Sequence, residues 1–153
     1  MTAFRTGRPA AATAVYWGAT VLVTAELGLG GAWDVMRLPA VSVVVERPGY
    51  PAYFLVILGV WKMLGAVALL VPRFPRLKEW AYAGAVFTCT GAIASHLTVG
   101  YGLGELALLI PLTVLTVVSW AMRPPSRRLP GGPGALTGRP AAVVRPESAP
   151  PRP

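Results

Sequence analysis

The chain has 153 residues, 54% hydrophobic and 13% charged, with a formal net charge of +8 and a mean hydropathy of +0.57. Soluble domains carry about 25% charged residues, so this composition argues against an ordinary soluble domain and for an integral membrane protein without a second folded domain. The basic residues lie between apolar blocks and in the tail, and no groove-reading or aromatic-basic module is visible, which argues against nucleic-acid binding.

Residues 1–12 form an N-terminal segment carrying Arg5 and Arg8. The apolar run that follows, Thr13–Ala32, holds Glu26 and lacks a convincing A-x-A cleavage site, so it is expected to be a retained first span rather than a signal peptide. Next comes "WDVMRLPAVSVVVERPGYP". Its apolar stretch Val41–Val45 suits a short interfacial helix starting at Pro39, or a strand, given its β-branched residues. Ala52–Val71 is the second expected span, and Pro72 and Pro75 in "PRFPRLKE" stop one helix and reset the next. Trp80–Val99 and Leu103–Met122, joined by "GYG", are the third and fourth. Each run is about 20 residues, enough to cross a ~30 Å hydrocarbon core.

Residues 13–122 therefore read as an all-α, four-transmembrane-helix up-and-down bundle. Residues 123–153, rich in Pro, Gly and Arg, read as a disordered basic cytoplasmic tail. Eight Lys and Arg residues flank the spans on one side, and only Arg37 and Arg47 lie on the other. By the positive-inside rule both termini are cytoplasmic, in a multi-pass protein of the inner (plasma) membrane.

Four ionisable residues fall inside the spans. Measured at 1.5 Å per residue from the outer face, Lys62 lies about 15 Å deep, Glu26 about 9 Å, His96 about 5 Å and Glu105 about 3 Å. A lysine near the bilayer midplane is costly, so Lys62 is expected to face the interior, snorkel outward and pair with Glu26, with His96 and Glu105 as an outer layer. Such a cluster is a candidate ligand or proton site, or a helix clamp without a site. In the third span Gly84, Thr88, Gly91 and Ser95 form a small-residue stripe expected to carry helix packing. Pro111 should loosen the fourth span, with Thr113 and Thr116 near the freed backbone groups.

Cys89 is the single cysteine. It rules out an internal disulfide, a C-x-x-C pair and a multi-cysteine metal site, and no metal site is expected elsewhere. No phosphate loop, nucleophile triad, haem ligand pair or iron–sulfur spacing occurs.

Residues 49–100 carry a "GYP" entry to the second span, "LG-x-x-K-x-LGA", "PRFPRLKEWAYAG" and "TGA-x-x-SHL". This stretch resembles the DoxX-like family of small bacterial four-helix membrane proteins. On that pattern Lys62, Glu79, Ser95 and His96 carry over as family positions. Span 1 departs from the pattern, reading "TAELGLGGAWDVMRL" where many relatives have an S-G-x-x-K-like stretch. The resemblance implies an accessory or membrane-anchor subunit linked to redox chemistry rather than a self-sufficient enzyme. It further implies a quinone as cofactor and a soluble oxidoreductase as partner, with homo-oligomers a further option. The rival readings are a small proton-coupled transporter using Glu26 and a non-catalytic membrane scaffold.

Overall fold

The structure, a computed structural model, describes residues 9–129 and all side chains among them except those of Glu105 and Pro125. Arg5, Arg8 and most of the expected tail lie outside the described residues. The described chain is all-helical, with no strand. Helix α1 (Ala10–Ala25) runs into a π-helical turn (Glu26–Gly30) and on through α2 (Gly31–Val35), so the first rod extends past the expected Ala32 end. Helix α3 spans Pro39–Glu46, α4 Tyr53–Leu70, α5 Pro75–Thr98 and α6 Leu103–Ala121.

Sequence chemistry accounts for these limits. Pro39 and Pro75 occupy the first turns of α3 and α5, where a missing N–H costs nothing. Starting at Pro75, α5 gains a turn below the expected Trp80 boundary. The β-branched residues of α3 do not force a strand, because no neighbouring edge is offered to them. Gly100, at φ 68°, ends α5. The Tyr101 N–H reaches the His96 carbonyl at 3.0 Å and the Gly100 N–H that of Leu97 at 3.3 Å, the paired bonds of a Schellman cap.

The rods pack as a ring: α1 against α4 and α6, α4 against α5, and α5 against α6. Val23, Leu27, Ala66, Leu69, Tyr82, Ala85, Cys89 and Leu112 form the shared apolar core. Polar side chains are also inside: Thr20, Lys78, His96, Thr116, Ser119 and Arg123 are buried, while Val21, Leu22, Trp61, Val67, Phe87 and Leu108 are exposed. An exterior this apolar suits a lipid-facing surface. Two helices, Ala10–Val35 and Tyr53–Leu70, are long and apolar enough to cross a membrane.

One buried hydrogen-bond chain ties three helices together. The Thr20 hydroxyl donates to the Tyr16 carbonyl at 2.7 Å, which uses its only proton. Ser119 Oγ, 2.7 Å away, must then donate to Thr20, and the Tyr82 hydroxyl, also at 2.7 Å, donates to Ser119. In α6 the hydroxyls of Thr113 and Thr116 bond Leu109 and Leu112 rather than the Ala107 carbonyl that Pro111 leaves without its N–H partner.

Candidate functional site

Glu26 opens the π turn, and Asp34 lies eight positions further along the same rod. At about 100° per residue, positions eight apart on an unbroken α-helix lie about 80° apart round the axis. A π turn acts as a one-residue insertion and removes most of that offset. The two carboxylates therefore share a face, and Lys62 of α4 meets both. Its Nζ donates to Glu26 Oε1 at 3.0 Å. It also lies 3.2 Å from Asp34 Oδ2, close enough for charge attraction but not aligned as a hydrogen bond; Oδ2 accepts none among the described residues. The Asp34 residue is 4% exposed.

Glycines make room for this arrangement. A Cβ on Gly30 would sit 2.9 Å from Glu26 Oε1 and 3.4 Å from Lys62 Nζ. On Gly31 it would meet the Gly59 carbonyl oxygen at 2.8 Å, and on Gly59 it would strike the Gly31 carbonyl. Two bare backbones thus touch one helical turn from Lys62.

Lys62 also lines a cavity of about 330 Å³ on the α4–α5 seam, whose walls include Leu27, Trp61, Gly65, Trp80, Gly84 and Thr88. A second cavity, about 280 Å³, lies beneath α3 and includes Tyr50, Phe54, Gly91, Ser95 and His96. Leu58 and Thr88 border both, so one apolar groove follows the seam.

The sequence-derived candidates divide between these places. Glu26 and Lys62 come together as a pair. His96 does not join them: its Nδ1 bonds the Ala92 carbonyl at 2.7 Å and its ring lies 4.7 Å from that of Tyr101. Ser95 Oγ is 2.8 Å from the Tyr50 hydroxyl at the same end. Glu105 lies in the first turn of α6, and its side chain is outside the described residues. The stripe Gly84, Thr88, Gly91 and Ser95 lines the groove instead of a helix contact, and nothing stands within 4 Å of a Cβ at Gly84 or Gly91. The stripe one step round α5, Ala85, Cys89 and His96, is the buried one. Asp34 lies two residues beyond the expected Ala32 end of the first span and so outside the sequence-derived cluster; the glycine-rich "LGLGG" between Glu26 and Asp34 is the local signal of an irregular helix.

Glu79 has a structural setting at the other end of α5. Its carboxylate accepts from Arg123 Nη2 and from Trp120 Nε1, each at 2.7 Å. Beside it, the buried Lys78 ammonium donates to the carbonyls of Ala68, at 3.1 Å, and Leu69, capping the end of α4.

Residues 18–122 match the DoxX-like family. The chain belongs to that family. No curated protein and no solved structure matches it. Membership in the DoxX-like family and the two long apolar helices point to a membrane location. Glu26, Asp34, Lys62, Glu79, Ser95 and His96 all fall inside the matched range, so both ends of the groove belong to the DoxX-like portion. Among the described residues no group of three His, Cys, Asp or Glu side chains is placed to hold a metal ion.

Proposed function

We propose that this DoxX-like protein is a four-span accessory or anchor subunit of the inner membrane, with cytoplasmic termini, whose α4–α5 groove binds a quinone-type ligand. One observation carries the reading: Lys62 is held by two carboxylates and also lines an apolar groove. An intramembrane lysine in the wall of a cavity is the kind of residue that marks a ligand site. Its free donor suits a quinone carbonyl oxygen, and the Leu, Trp and Gly walls suit an isoprenoid tail. The partner in this reading is a soluble oxidoreductase, and exposed apolar residues of α5 such as Phe87 and Leu97 leave a face on which copies of the chain can associate.

Purification from native membranes in mild detergent tests this, with mass spectrometry of co-purifying proteins and extracted small molecules. The reading expects a quinone or a stoichiometric oxidoreductase with the wild type, and loss of the quinone from Lys62→Met. A lone protein without either overturns it.

Asp34 supports a second reading. With two carboxylates to one lysine the cluster is not cationic, which removes the repulsion a proton-coupled exporter of cations would meet at Lys62. Proton-dependent efflux abolished by Glu26→Gln would favour that reading.

A further inference from the structure

The charges of the Lys62 cluster do not balance. Glu26 and Asp34 meet one ammonium, and no second Lys or Arg lies within ion-pair distance of either among the described residues. The titratable group that α5 brings near is the Cys89 thiol, and α6 adds the Thr113 hydroxyl; neither is a cation. With both carboxylates ionised, one negative charge would stand uncompensated in a low-dielectric interior, a state that buried acids relieve by taking up a proton. Asp34 Oδ2 has under 1 Å² of accessible surface and accepts no hydrogen bond among the described residues, which leaves that oxygen little room for a hydrating water. A proton needs no such room.

We propose that Glu26, Asp34 and Lys62 form a proton-binding site that holds one exchangeable proton, with Asp34 as its buried store and Lys62 as its outlet to the groove. The three groups titrate as a unit, so the proton belongs to the cluster. Transfer balances simply. An N–H bond of Lys62 breaks as its proton passes to an oxygen base in the groove, and the Asp34 carboxyl returns a proton to Nζ. The lysine ends as an ammonium, both carboxylates end ionised, and the acceptor is protonated. The acceptor step rests on the groove reading above and narrows its ligand to a molecule with a proton-accepting oxygen. The stored proton does not depend on that reading.

Infrared spectroscopy of the full chain in lipid vesicles at neutral pH, in H₂O and D₂O and without added ligand, reads neutral carboxyl groups directly. Charge counting gives one for the wild type, none for Glu26→Gln or Asp34→Asn, and two for Lys62→Met. The opposite sign of the lysine variant means that a misfolded acid variant cannot imitate the pattern. A Glu105→Gln variant should keep the wild-type band. Absence of a neutral carboxyl in the wild type, its survival in both acid variants, or its loss in Glu105→Gln overturns the proposal. An intact band in a protein that binds no quinone would overturn the groove reading alone.

Discussion

Gly31 of α2 and Gly59 of α4 touch backbone to backbone, so that a Cβ on Gly31 would stand 2.8 Å from the Gly59 carbonyl oxygen. A rigid main-chain atom cannot turn aside as a side chain does. This contact fixes the height of Lys62, three positions after Gly59, against Glu26 and Asp34.

Gly59→Ala should therefore push α2 and α4 apart, an overpacking cost of about 1–3 kcal/mol. Gly84→Ala and Gly91→Ala should be neutral or slightly stabilising, since each meets open space and alanine favours helix by about 1 kcal/mol. Thermal midpoints in detergent distinguish the two sets.

Lys62→Met leaves the buried Asp34 and the partly buried Glu26 without their cation, so that both must take up protons, and should destabilise by about 3–5 kcal/mol. Combining it with Glu26→Leu should cost less than the two single changes added together, because the groups interact directly. A double-mutant cycle on unfolding measures the coupling. Strict additivity would contradict the ion pair.

Ser119→Ala removes the middle of the Tyr82–Ser119–Thr20 chain and leaves the buried Tyr82 hydroxyl without its acceptor. The expected loss is about 1–3 kcal/mol. Tyr82→Phe together with Ser119→Ala should recover part of it, since no hydroxyl of Tyr82 then remains unpaired.

Glu79 predicts a pH dependence. It lies just outside the expected span, which starts at Trp80. Burial pushes its carboxyl up, but hydrogen bonds from Trp120 and Arg123, with the Arg123 charge, outweigh burial and hold it below its usual 4.5. A carboxyl lowered on folding contributes stability above its unfolded value and loses it as pH falls through the folded one. The midpoint gap between wild type and Glu79→Gln, about 1–2 kcal/mol at neutral pH, should close as pH falls below about 4.5.

Much of this was legible in the sequence. Apolar runs bounded by Pro72, Pro75 and "GYG" set the long helices, and Pro39 set the start of α3. Depth counting was enough to pair Lys62 with Glu26, because both lie on regular helix up to that point. It did not reach Asp34, because the expected first span ends at Ala32 while the rod continues through the π turn to Val35. It also failed on the glycines. Small size alone does not say whether a stripe meets a helix, as Gly31 and Gly59 do, or lines a groove, as Gly84 and Gly91 do. His96 was grouped with Lys62 by depth, but depth carries no information about rotation, and the ring turns to Tyr101.

The most direct test of the account uses the two tryptophans in the groove wall, Trp61 and Trp80. A short-tailed quinone is titrated into the purified protein in detergent while tryptophan fluorescence is followed. The account expects saturable quenching in the wild type that disappears in Lys62→Met. Quenching that never saturates, or that is equal in both proteins, would contradict it.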